Sequence, residues 1–142
     1  MIGLRAIGRL ELLQQLFGEV LIPAAVFSEI RSFLLPQWIK IRTLTEPVGM
    51  VPFEVSLGRG ETEAIVLSIQ LPADRLILDD AAARGEARRR GLFVVGTLGI
   101  LLIAKQSGLV ASMRREMDAL REASFHISPR VYNTVAVAAD ES

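Results

Sequence analysis

Two short apolar segments constrain the fold more than any other feature of the sequence. They are LIL at residues 76–78 and LFVV at residues 92–95, and a helical pattern follows each of them. A strand that is apolar along its whole length is typical of a parallel sheet covered by helices on both faces. The alternation of strand and helix patterns therefore predicts an α/β fold.

The rest of the chain continues this alternation. Two further strands are predicted at residues 19–23 and 38–44. Helices are predicted at residues 7–17, 23–35, 60–71, 81–90, 97–106 and 111–123, with a last helix after Ser128–Pro129. A chain of 142 residues without linkers or repeats is expected to form a single domain over residues 1–142.

Composition excludes several kinds of site. Sixteen basic and sixteen acidic residues leave no net charge, so no global field attracts nucleic acid. The chain has no cysteine and one histidine, so a metal site must use oxygen ligands, which favour Mg²⁺, Mn²⁺ or Ca²⁺. No apolar run reaches the roughly 20 residues of a membrane span. We expect a cytoplasmic protein that does not enter a membrane.

Acidic residues occur where such a metal could bind. Glu29 lies in the helix after the first predicted strand, Glu61 and Glu63 lie at a helix start, and Asp79 and Asp80 end an apolar strand. Ligands of parallel sheets bind beyond the carboxyl ends of the strands. A shared Mg²⁺ would remove the repulsion between the carboxylates, activate a water and hold a phosphate. This pattern favours nuclease chemistry.

The same acids have simpler interpretations. Glu61 or Glu63 can complement the dipole of its helix as a surface acid. Asp79 or Asp80 can cap the following helix, and Glu29 can be an exposed helix residue. Spacing alone does not separate these interpretations from a metal site.

Arginines follow the strand-end acids. Arg84 and Arg88 are four residues apart, so they share one face of the predicted helix and could contact a phosphate backbone. The alternative is an ordinary solvated face. Trp38 and Phe93 are predicted to belong to the core.

Four blocks of the sequence, taken in order, resemble the prokaryotic family of PIN-domain-like proteins, which are distant relatives of VapC toxins. The blocks are AIGRLELLQQLFGEVLIPAAVFSEI, LGRGETEAIVLSIQLPADRLILDD, RRRGLFVVGTLGILLIAKQSGLV and SFHISPRVYNTV. The resemblance implies a three-layer α/β/α fold with a mainly parallel sheet. It also implies a ribonuclease that uses Mg²⁺ or Mn²⁺, with RNA as substrate and a small antitoxin as inhibitor.

The acids of the family's site fall on five positions of this chain, which are Glu29, Glu61, Glu63, Asp79 and Asp80. The resemblance favours Glu63 over Glu61 and Asp80 over Asp79, so the catalytic set implied is Glu29, Glu63 and Asp80. Thr97 matches a polar position close to the site in many relatives.

One departure from the family pattern affects the expected activity. PIN domains open with a central strand that ends in an aspartate, and Met1 falls after that block, so the first central strand is expected to be missing. Either the start codon is assigned too far downstream or the gene is truncated. We expect impaired metal binding and weak or no cleavage. The alternatives are a non-catalytic module that binds an antitoxin-like partner or forms a homodimer, and a remnant without function.

Overall fold

The computed structural model describes residues 1–30, 34–46, 53, 56–71 and 73–141. The chain divides into two compact units. Unit 1 consists of Met1–Gly18 and Gly96–Ser142, and unit 2 consists of Glu19–Val95. The expectation of a single domain over residues 1–142 stays a prediction.

Helices and strands alternate through the middle of the chain. The described residues form eight helices and four strands, in the order α1 (Ile2–Ala6), α2 (Leu12–Phe17), β1 (Val20–Ile22), α3 (Ala24–Ile30), β2 (Ile39–Ile41), α4 (Arg59–Gln70), β3 (Leu76–Ile77), α5 (Ala81–Arg89), β4 (Val94–Val95), α6 (Thr97–Gln106), α7 (Met113–Glu122) and α8 (Pro129–Ala138).

The strands of unit 2 form two parallel pairs. Strand β1 pairs with β2, and Val20 lies opposite Ile39. Strand β3 pairs with β4, and Leu76 lies opposite Val94. Parallel strands that alternate with helices confirm the α/β class that the sequence predicts.

Some expectations for the strands are wrong in detail. Strands β3 and β4 have two residues each, fewer than the apolar segments suggest. Phe93 precedes β4 and is 78% exposed, so it is not a core residue, whereas Trp38 is half-buried. The Leu76 N–H donates a hydrogen bond to the Phe93 carbonyl. This bond constrains the backbone of Phe93 but not its side chain.

The core of unit 2 joins α4, α5 and the end of β3. Its buried members are Ile65, Leu76, Leu78, Ala83 and Ala87. The two alanines are four residues apart and therefore lie on the same face of α5. Their small side chains let the backbone of α5 pack close to the apolar side chains of α4 and β3.

Unit 1 consists of helices in the described residues. Its fully buried large side chains include Leu4, Leu13, Ile100, Leu101, Met113, Met117 and Leu120. The helix predicted over residues 7–17 is shorter in the structure, because Gly8 adopts φ +72° and the chain turns before α2 begins. Side chains of Ser112 and Ser128 accept backbone hydrogen bonds at the starts of α7 and α8.

Among the helices of the described residues, none is long and apolar enough to cross a membrane.

Candidate metal and nucleic-acid site

The two acids at the start of α4 face different neighbours. Gly58 is the N-cap residue of α4, and the Glu61 carboxylate folds back against it. Glu63 lies two residues further along the helix, which turns it by about 200° from Glu61. Glu61 therefore contacts the start of its own helix, and Glu63 points toward α3.

Glu63 connects α4 to the start of α3. Its side chain accepts a hydrogen bond of 3.1 Å from the Ala25 backbone N–H and one of 3.2 Å from Nε of Arg59. The first N–H groups of a helix have no partner within the helix, so Glu63 satisfies a donor that α3 cannot satisfy itself. Glu63 is 9% exposed, whereas the Arg59 side chain is 82% exposed. Among the described residues, Arg59 is the cation that contacts Glu63, and water screens its charge.

Glu29 lies one turn after Ala25 on α3 and is exposed, as the simpler interpretation of this acid expects, and its carboxylate lies against α4. A Cβ at position 60 would lie 2.5 Å from Oε1 and 2.8 Å from Oε2 of Glu29, so the carboxylate covers the Cα of Gly60. Ala25 meets Glu63 while Glu29 meets Gly60, so the two helices run antiparallel. Along each helix, the contact made by Glu29 and the contact made by Glu63 are about one turn apart. We call these four residues, Ala25, Glu29, Gly60 and Glu63, the α3–α4 seam.

The aspartates at the end of β3 are both exposed. The Asp80 side chain accepts a hydrogen bond of 3.3 Å from the Ala83 N–H, so Asp80 caps α5. This is the role that the sequence left open for either aspartate. Nη1 of Arg84 donates to the carbonyl oxygens of Leu78 and Asp79. Arg84 therefore holds the strand end in place, in addition to any contact with phosphate.

The arginines at the end of α5 differ in the groups that they contact. Arg89 and Arg90 donate to Glu86 at 2.6 and 3.0 Å, and the hydrogen bond from Arg89 is the main cause that holds the pKa of Glu86 below its ordinary value. Arg90 also lies over the Phe53 ring, 4.6 Å from its centroid. Arg88 is exposed. The predicted contact with a phosphate backbone therefore depends mainly on Arg88.

Comparison with known protein families identifies the fold. A family model described as a PIN domain matches residues 1–141. The chain belongs to the PIN-domain family. PIN domains are nuclease-like modules that act on nucleic acids, and they typically use divalent metal ions. No curated protein and no solved structure matches the chain.

The acids of this PIN domain do not gather into a full ligand set. Among the residues that the structure describes, no group of three or more His, Cys, Asp or Glu side chains is close enough to hold a metal ion. Mg²⁺ is commonly bound through one or two carboxylates, with water and substrate phosphates completing its shell. The pair Glu29 and Glu63 fits that donor set. Metal roles for Glu61, Asp79 and Asp80 stay predictions.

Thr97, the polar residue that the resemblance places near the site, belongs to unit 1. It is fully buried at the start of α6, directly after the N-cap residue Gly96. The role suggested for Thr97 stays a prediction.

Sequence reasoning missed one residue of the seam, Gly60, and one residue that contacts the seam, Arg59. Arg59 donates to Glu63, and Gly60 leaves the space that the Glu29 carboxylate occupies. The spacing of Arg59 and Glu63, four apart in a predicted helix, was a visible signal for the first contact. No local signal reveals the second, because it depends on the approach of α3.

Proposed function

We propose that this PIN domain is a divalent-metal-dependent ribonuclease of toxin type, with Glu29 and Glu63 as the first ligands of Mg²⁺ or Mn²⁺. The observation that supports the proposal is the α3–α4 seam, where Glu29 and Glu63 each contact the facing helix and have few donors. Glu63 has one backbone N–H and one solvent-screened arginine. Among the described residues, none donates a hydrogen bond to the Glu29 side chain. Two such acids gain free energy from a shared cation.

Each residue of the seam has a defined part in this proposal. A divalent ion bound there supplies a water of lowered pKa and a positive charge for the phosphate. The Ala25 N–H fixes the orientation of the Glu63 carboxylate before any ion binds, so that part of the site is preorganised. Arg88 supplies a phosphate contact on the RNA strand. Asp80 supplies a further carboxylate when its hydrogen bond to Ala83 allows it.

The toxin-type proposal also concerns partners and location. A small antitoxin would cover the seam and neutralise its acids, and a homodimer is a further possible assembly. The RNA substrate places the activity in the cytoplasm. We expect weak cleavage, because Asp80 is engaged as a helix cap and only two acids share the seam.

A non-catalytic binding module is the second candidate function. Two observations favour it, namely the lack of a group of three ligands among the described residues and the use of Asp80 in a helix cap. In that function the seam would be a polar contact between helices, and the exposed Phe93 and Leu34 would contribute to binding a partner.

Cleavage of a labelled RNA in the presence of Mn²⁺ separates these functions. We compare the unmodified chain with Glu29→Gln and Glu63→Gln, each of which removes one charge and keeps the side-chain size. Loss of a metal ligand costs several kcal/mol of transition-state stabilisation, so each variant should cleave about 10²–10³-fold more slowly. Mn²⁺ affinity, measured by calorimetry, should fall in parallel.

Glu19→Gln is the matched control. Glu19 is an exposed acid of the same unit, just before β1, whereas α3 follows the other end of that strand. Its replacement should change neither cleavage nor Mn²⁺ affinity. Cleavage that is equal in all four proteins would reveal a contaminating nuclease. A protein that neither binds Mn²⁺ nor cleaves RNA would favour the binding module.

A further inference from the structure

The start of α4 contains a glycine that its backbone does not require. Gly60 lies inside the helix, and it is not among the glycines with positive φ. Alanine is a better helix former than glycine, by about 1 kcal/mol in a helix interior and by less in the first turn, where Gly60 lies. The reason for a glycine must therefore lie in what surrounds it.

The described atoms nearest to the open side of Gly60 belong to one carboxylate. The three heavy atoms nearest to a Cβ at this position are Oε1, Oε2 and Cδ of Glu29, at 2.5, 2.8 and 2.9 Å. Real Cβ atoms do not approach other atoms closer than 3.0 Å. The observed position of the Glu29 carboxylate therefore requires a residue without a Cβ at position 60.

We propose that Gly60 is a positioning residue, whose missing side chain reserves the place of the Glu29 carboxylate beside Glu63. The proposal rests on the proposed function, in which Glu29 is a metal ligand. The crowding atoms belong to the far end of a flexible side chain, so an alanine can be accommodated if Glu29 rotates away. Gly60→Ala should therefore leave the fold intact and move a ligand out of the seam.

Gly85 provides the matched control. It lies inside α5, and a Cβ there would have Arg89 Nη1 as its nearest atom at 3.5 Å, an ordinary van der Waals contact. Gly85→Ala should therefore raise the melting temperature by a few degrees through helix propensity alone. It should leave Mn²⁺ affinity unchanged.

The test combines the glycine variants with Glu29→Ala. In metal-free protein, Gly60→Ala should raise the melting temperature less than Gly85→Ala while Glu29 is present. Once Glu29 is replaced by alanine, both glycine variants should be stabilising, because the crowding group is gone. Mn²⁺ affinity should fall about tenfold or more in Gly60→Ala. In the Glu29→Ala background, Gly60→Ala should cause no further loss.

The possible outcomes decide the two proposals separately. Gly60 has no positioning role if Gly60→Ala lowers Mn²⁺ affinity by the same factor in the presence and in the absence of Glu29. It also has none if Glu29→Ala lowers Mn²⁺ affinity and Gly60→Ala leaves Mn²⁺ affinity unchanged. If Glu29→Ala itself does not change Mn²⁺ affinity, the proposed function fails. In that case the melting temperatures of the metal-free proteins decide whether Gly60 reserves the place of the Glu29 side chain. If Gly60→Ala shifts the melting temperature equally in the unmodified chain and in Glu29→Ala, Gly60 does not reserve that place.

Discussion

The acids of unit 1 and those of the α3–α4 seam in unit 2 differ in how many donors surround them. Glu116 is 4% exposed and receives three hydrogen bonds from Arg9, of which the shortest is 2.6 Å. Glu141 accepts from two backbone N–H groups, a hydroxyl and an ammonium group. Glu63 has two donors, and Glu29 has none among the described residues.

The number of donors determines what each acid can do. Burial raises the pKa of Glu141, but the hydrogen bonds from Met113, Arg114, Lys105 and Ser112 outweigh it and lower the pKa to about 2. The hydrogen bond to Glu116 raises the pKa of the Arg9 guanidinium. Such carboxylates are saturated and act in stability. In the seam, each oxygen of Glu63 accepts one hydrogen bond and keeps a lone pair for a ligand, and none of the described residues donates to Glu29. These remaining lone pairs are the physical basis of the proposed function.

Membership of a unit does not set the role of an acid. Glu86 belongs to unit 2, yet it is 3% exposed and has two arginine partners, so it resembles the saturated acids of unit 1. The distinction therefore depends on local donors. It predicts that replacements around saturated acids change stability, whereas replacements in the seam change metal binding.

The largest effect on stability is expected from Arg9→Ala. This change leaves the buried Glu116 carboxylate without its partner, which costs several kcal/mol for a fully buried pair. Because the Arg9 side chain is 40% exposed, we expect a smaller loss of about 2–3 kcal/mol in the free energy of unfolding. Urea denaturation measures it, and Mn²⁺ affinity should not change.

Arg115→Ala is the control for this prediction. Arg115 lies on the same helix as Glu116, and it is exposed. Its replacement should change the free energy of unfolding by less than about 0.5 kcal/mol. If Arg9→Ala were no more damaging than Arg115→Ala, the saturated acids of unit 1 would not be important for stability.

A smaller effect, with a distinct pH dependence, is expected from Glu141→Gln. Hydrogen bonds to charged groups contribute about 1.5–3 kcal/mol, and the amide keeps part of the bonding, so we expect a loss of about 1–2 kcal/mol at neutral pH. The folded pKa of about 2 lies below the ordinary value of 4.5. The contribution of Glu141 is therefore complete above pH 4.5 and disappears as the pH falls through 2.

The pH series has a clear criterion. The difference in unfolding free energy between the unmodified chain and Glu141→Gln should be constant from pH 7 to about pH 5, and it should shrink toward about pH 2. Glu122→Gln, which replaces an exposed acid in the last turn of α7, should show a difference of less than about 0.5 kcal/mol throughout. A difference for Glu141 that persists at pH 2 would show that its charge is not what stabilises unit 1.

Sequence reasoning succeeded where the signals are local. The bounds of α6 follow from its apolar pattern, which ends just before Gly108, and the start of α8 follows from Ser128 and Pro129, which suit the N-cap and first helical positions. The resemblance also preferred Glu63 to Glu61, and the structure places only Glu63 against α3. Whether Glu63 binds metal stays a prediction.

The rest of the site depends on contacts that are distant in sequence. The contact between Glu29 and Gly60 exists because α3 and α4 approach each other, and no pattern within either helix contains that information. The lengths of β3 and β4 were also overestimated, because an apolar segment shows what is buried but not how many of its residues pair.

Asp80 gives the smallest expected change in stability and the sharpest test of the comparison, because the resemblance implies a metal ligand and the structure shows a helix cap. Asparagine caps helices as well as aspartate does, so Asp80→Asn should keep the free energy of unfolding within a few tenths of a kcal/mol. Asp80→Ala should lose about 1 kcal/mol, as should the control Ser128→Ala at the start of α8. If Asp80 is a ligand, both of its variants should lower Mn²⁺ affinity, and Ser128→Ala should not. If Asp80→Asn leaves Mn²⁺ affinity unchanged, Asp80 is only a cap, and any ion is held by the acids of the seam.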